Sequence, residues 1–97
     1  MVSVIEPATE EVLAELPQAG VEETDAAIAR AREAFPAWKA IAPGERAGLL
    51  RNVAARVREH AEELARLEAR NVGKPISDAR GEVGMVADVF DLSLIHI

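Results

Sequence analysis

The sequence predicts a mostly helical chain that opens on a β-hairpin, and three observations carry that prediction. Apolar residues recur at i, i+3 and i+4 from Ala27 through Phe90, the period of one helix face. Ahead of them stands a short β-branched and alternating stretch broken by a proline, the pattern of two strands around a turn. Pro43, Pro75 and Gly73 then fall at the edges of the periodic runs, where helices start and stop.

The elements follow in order. Val2 to Ile5 is β-branched, Glu6-Pro7-Ala8-Thr9-Glu10 carries the turn, and Val12 to Leu16 alternates apolar with acidic residues before Pro17 closes it. Such a hairpin needs a neighbour, because two isolated strands are marginal in water. Ala19-Gly20 opens the first helix, with Glu22, Glu23 and Asp25 in its first turns, where carboxylates suit the positive end of the helix dipole. Its apolar face is Ala27, Ile28, Ala31, Ala34, Phe35 and Trp38, and Pro36 is expected to kink or tighten its end. After a connector at Ala40 to Ala42, Pro43 begins a long helix expected to run to about Val72 on Leu49, Leu50, Val53, Val57, Ala61, Leu64 and Leu67, with Gly73 as its cap. Pro75 starts a further helix with Ile76, Ala79, Val83, Val86, Ala87 and Phe90 along one side. The surface charges, including Glu62 four residues before Arg66, read as a solvated face with a modest i,i+4 pair.

Length and composition narrow the function classes. The chain has 97 residues, 49% of them hydrophobic, and a net charge of -6; that suits one small domain or a piece of a larger one. An acidic balance without a Lys/Arg cluster argues against nucleic acid and against an anionic membrane surface. There is no cysteine, so neither a disulfide nor a thiolate nucleophile comes from these residues. No apolar run reaches the roughly 20 residues of a membrane span, and the start lacks a signal-peptide pattern. A cytoplasmic location is the expectation.

A search for chemistry finds no complete active site. His60 and His96 are the two histidines, and no second ligand stands at metal-binding spacing from His60, which reads as a surface residue. Adjacent carboxylates such as Glu22 and Glu23, or Glu62 and Glu63, point about 100° apart on a helix and do not converge. Gly73-Lys74-Pro75 follows a helix and contains a proline, whereas a phosphate cradle needs several backbone N–H groups after a strand. Trp38, Phe35 and Phe90 sit at core spacing, which favours packing over base stacking. No residue is assigned a catalytic or cofactor-binding role.

The order of the segments is more informative. Ile5 to Val12 ("IEPATEEV"), Ala26 to Trp38 ("AAIARAREAFPAW"), Glu45-Arg46 with Leu49-Leu50, and Glu62 to Val83 ("EELARLEARNVGKPISDARGEV") together resemble the N-terminal part of the aldehyde dehydrogenase superfamily. The resemblance covers Ser3 to Phe90. It implies a truncated piece of the Rossmann-like α/β NAD-binding domain, at residues 1–91, whose parent oxidises an aldehyde to a carboxylic acid with NAD or NADP and forms a homo-oligomer. In such enzymes a cysteine thiolate attacks the carbonyl, hydride passes to the nicotinamide, and a glutamate activates water. The resemblance places all of these groups downstream of this chain, so the 97 residues alone are expected to bind no cofactor and to be inactive. It also implies a monovalent-cation site in the parent, with the carbonyls of Val4 and Ile5 and the side chain of Asn71 at the matching positions. Asparagine there offers an oxygen without a charge. "NVGKPISDARGEV" is similar to members acting on amino-aldehydes such as betaine aldehyde.

The last six residues, Leu92 to Ile97, read "LSLIHI" and break the helical periodicity. The DNA string CTGTCTCTTATACACATC encodes them in frame and resembles a transposon end used as a sequencing adapter. Residues 92–97 are therefore expected to be translated adapter, with Asp91 assigned to neither side. Two other readings use the same amphipathic stripes: a free-standing helical module that binds a partner helix, and a self-associating scaffold that completes its core by oligomerisation.

Overall fold

The computed structural model describes residues 1–93. It begins with β1 (Val2–Ile5) and β2 (Val12–Leu16), followed by α1 (Val21–Ala40), α2 (Pro43–Glu59), α3 (Ala61–Val72) and α4 (Ile76–Leu92). Mostly helical with an N-terminal hairpin is the observed class. The expectations for residues 94–97, His96 among them, lie outside the described residues. α4 itself runs through Leu92, and Ser93 closes it by donating from Oγ to the Val89 carbonyl at 3.0 Å.

The two strands pair antiparallel, Val2 with Leu16, Ser3 with Glu15 and Val4 with Ala14, and then slip to Ile5 with Val12. The slip is a bulge at Leu13, the kind of insertion that bends a strand at its rim. Across the strands Ser3 Oγ donates to Glu15 Oε1 at 2.6 Å. The turn closes through Glu10 N–H to the Glu6 carbonyl and Glu6 N–H to the Glu11 carbonyl, at 2.8 and 2.9 Å, and needs Glu10 in the left-handed region at φ 62°.

α1 starts as its sequence demands. Gly20 is the N-cap, its N–H donating to Glu23 Oε2 at 2.9 Å, and Thr24 Oγ1 donates back to the Gly20 carbonyl. At the other end the helix passes through Pro36 and tightens, with Ile41 N–H reaching the Trp38 carbonyl three residues back. The apolar stripe of α1 does not become core. None of its residues is buried, and Ile28 and Phe35 are more than half exposed. Periodicity shows that a helix has an apolar side, and nothing among the described residues covers this one.

The long helix expected from Pro43 to Val72 is instead two helices, α2 and α3, broken at His60 (φ -102°, ψ 18°). The reason is length. A straight helix of 30 residues would extend about 45 Å, whereas α4, at 17 residues, extends only about 25 Å. The break lets α2 and α3 each lie along α4, while touching one another little. No apolar signal marks it, because the stripe continues in phase through Val57, Ala61 and Leu64.

What is buried at these crossings is small. The buried hydrophobic residues described are Ala47, Ala54, Ala65, Ala79, Val83 and Ala87, so the helices meet along a seam of alanines that brings their backbones close. Ala65, Ala79 and Val83 form its centre, edged by Val57, Ala61, Ala69 and Ile76. Of the leucines on the expected apolar face only Leu50 is half-buried, whereas Leu49 is 43% exposed, Leu64 38% and Leu67 54%. The consequence is an open shape. The radius of gyration is 17.2 Å, against about 12.5 Å for a compact domain of this length. The accessible surface is 7319 Å², against roughly 5,400 Å² for a compact monomer of this mass. A domain packs at least two layers around one core; α2, α3 and α4 present one layer with its large apolar side chains turned out.

Candidate functional site

The most organised polar region gathers where α3 ends, α4 begins and the hairpin turn docks. α3 stops at Gly73, whose φ of 75° is left-handed and whose N–H caps the helix on the Ala69 carbonyl at 2.9 Å. Glycine is favoured here on two counts. Other residues pay for that backbone conformation, and a Cβ would stand 3.3 Å from Cβ of Pro7. The hairpin turn is thereby laid against the end of α3. Arg70, one turn earlier, holds it there: its Nε and one terminal nitrogen donate to the two oxygens of Glu6, each at 3.3 Å. Glu6 is the better shielded partner, its side chain only 16% exposed.

On the other side of the junction Lys74 Nζ reaches Glu82 on α4 and lies 3.7 Å from Glu68 on α3. The Glu82 hydrogen bond, more than any other cause, holds the ammonium above the usual lysine range. Pro75, with no N–H to offer, is the N-cap of α4. The junction is thus a helix stop and restart. It is a poor match to a dinucleotide's phosphates, since its cation is already engaged by two carboxylates, the Gly73 N–H is spent on the Ala69 carbonyl and Pro75 has no N–H to give.

Two further ion-pair clusters tie the layer together. Glu62 accepts from Arg66 on its own helix at 3.0 Å, as its spacing predicts, and from Arg80 on α4 at 2.8 and 2.9 Å. These guanidinium groups, Arg80 foremost, pull the Glu62 carboxyl down to about 2. Arg58 on α2 donates to Asp91 at 2.6 Å and to Asp88 at 3.1 Å, both on α4, and its pKa is raised chiefly by the Asp91 hydrogen bond. The charges therefore do more than solvate a face: they bridge helices. Sequence spacing finds Glu62–Arg66 but not Glu62–Arg80 or Arg70–Glu6, which join residues 18 and 64 positions apart. His60 is an exposed surface residue at the α2–α3 break, with Nδ1 3.1 Å from Glu63 Oε2.

The three residues of the expected cation site fall as follows. Val4 is half-buried and Ile5 exposed, on either side of the β-bulge. Asn71 is exposed on the last turn of α3, on the wall of an apolar groove beside Leu67, Glu68 and Glu82. The contact that joins the strand end to α3 is made by Arg70 and Glu6 rather than by Asn71. Among the described residues, no group of three or more His, Cys, Asp or Glu side chains is placed to hold a metal ion. No helix of the described residues is long and apolar enough to cross a membrane.

The groove that Asn71 borders continues across α2, α3 and α4. Val57, Leu64, Leu67, Val83 and Val86 line it, and at its α2 end Val53 extends it past His60.

Comparison with known proteins gives this layer its context. The model of the aldehyde dehydrogenase family matches residues 1–96. The succinate-semialdehyde dehydrogenase GabD of Escherichia coli, named for NADP(+), is 40% identical over 90 residues, which is 93% of this chain and 19% of that protein. A chloroplastic aminoaldehyde dehydrogenase of Arabidopsis thaliana is 41% identical over 95 residues, again 93% of this chain and 19% of the relative. Among solved structures, glyceraldehyde-3-phosphate dehydrogenase GapN from Methanocaldococcus jannaschii, complexed with NADP, superposes with a TM-score of 0.92 at 33% identity, covering 99% of this chain and 21% of that one. The chain thus spans about a fifth of the length of the curated relatives it matches. With its hairpin, its helices and the Gly-Lys-Pro junction all carried by that match, the chain belongs to the aldehyde dehydrogenase family.

Proposed function

We propose that these residues are a scaffold segment, at the N-terminal side, of a longer NAD(P)-dependent dehydrogenase that oxidises an aldehyde to a carboxylic acid. The observation that carries the reading is the one-layer architecture. A family match across the chain coincides with helices whose large apolar side chains face outward, as a layer meant to be covered would have them. NAD(P), when bound, accepts the hydride. The residues here contribute position: Gly73 and Arg70 set the hairpin on α3, and Glu62, Arg80, Lys74, Arg58 and their partners fix the helices on one another. The chain has no cysteine, so the thiolate that such chemistry uses is supplied elsewhere in the longer protein, and these residues alone are inactive. Semialdehydes and amino-aldehydes, which the similar proteins are named for, are the substrate classes to try first. Homo-oligomerisation, a cytoplasmic location, and a cation site on the Val4 and Ile5 carbonyls with Asn71 belong to the same reading.

Within it, residues 1–91 are dehydrogenase sequence and residues 92–97 translated adapter. The test is long-read sequencing of the source DNA across the codons for Val89, Phe90 and Asp91, followed by expression of the full reading frame and an assay of aldehyde-dependent reduction of NAD+ and NADP+. A frame that continues into a cysteine-bearing dehydrogenase active with either cofactor supports the reading. A stop codon directly after Ile97 overturns it and favours the second reading, a helical module whose exposed groove takes a partner or a second copy. That groove is the specific observation behind the alternative, and size measurement of the 97-residue chain separates a discrete homo-oligomer from a monomer that waits for a partner.

A further inference from the structure

We draw no further inference here: the strongest candidate, the apolar groove that Val57, Leu64, Leu67, Val83 and Val86 line between α2, α3 and α4, carries none because nothing in the structure shows what covers it.

Discussion

Replacing Gly73 by alanine tests the junction most directly. The wild-type φ of 75° costs an ordinary L-residue about 1–2 kcal/mol. Alanine would recover part of this by stiffening the unfolded chain, but at a left-handed position the net effect is destabilising. The new Cβ would also meet Pro7 at 3.3 Å, so the hairpin turn would have to give by a few tenths of an ångström against α3. Two consequences are separable. The backbone cost lowers the protection of the residue-73 amide, which caps α3 on the Ala69 carbonyl, by roughly 5–30-fold for a change of that size. The contact with Pro7 lowers the protection of the Glu6 and Glu10 amides that close the turn. Amide hydrogen exchange reads both. Gly73→Asn is the control, since asparagine carries the same Cβ but enters the left-handed region more readily; it should spare the cap and still disturb the turn. Unchanged or increased protection at residue 73 in the alanine variant would refute the left-handed cap. A lost cap with undisturbed Glu6 and Glu10 amides would refute the docking of the turn.

Four other outcomes follow from the geometry. The Glu62 carboxyl is depressed to about 2 from an ordinary 4.5, so the stability it contributes is fully present above about pH 4.5 and is lost as pH falls towards 2; in Glu62→Gln the acid limb of a helicity-versus-pH curve should flatten over that window. Ala79 is fully buried in the alanine seam, so Ala79→Leu should overpack it and destabilise by about 1–3 kcal/mol, read by chemical denaturation, whereas leucine at the exposed Gly81 should not. Trp38 is 39% exposed; acrylamide should quench its fluorescence strongly in the 97-residue chain and weakly in the longer dehydrogenase, and equal quenching would show that the rest of the protein leaves α1 uncovered. For the cation site, potassium should raise the melting temperature of the longer protein relative to a bulky organic cation, and identical curves would remove Val4, Ile5 and Asn71 from any such role.

The elements themselves were legible because each has a local cause. The proline turn and the β-branched run make the hairpin, Glu23 answers Gly20 at the start of α1, and Gly73 and Pro75 end one helix and begin another. The break at His60 was not legible, since its cause is the length of a different helix. Burial was legible only in part. Periodicity places Ala79, Val83 and Ala87 on an inner face correctly, yet it passes over Ala65, which is fully buried, and counts Leu67 and Phe35 on apolar faces although the structure turns both out. An amphipathic pattern reports that a side is apolar; which of two apolar sides meets a partner within the same stretch of chain depends on what else the fold contains. The ion pairs divide in the same way, Glu62–Arg66 being local and Arg70–Glu6 not.

The alanine seam also sets an order of events during synthesis. Its partners lie within a few dozen residues of one another, and contacts this local form quickly. With this segment at the N-terminal side of a longer protein, as proposed, and a length like that of the Escherichia coli relative, where 90 residues are 19% of the whole, roughly 380 more residues would still have to be translated, which takes about 20–80 s at typical rates. For that interval the helices would be assembled while Leu49, Leu67, Phe35 and Val86 stood bare. On that reading the segment would leave the ribosome as a preformed but adhesive plate, most dependent on chaperones before the rest of the chain arrives to cover it.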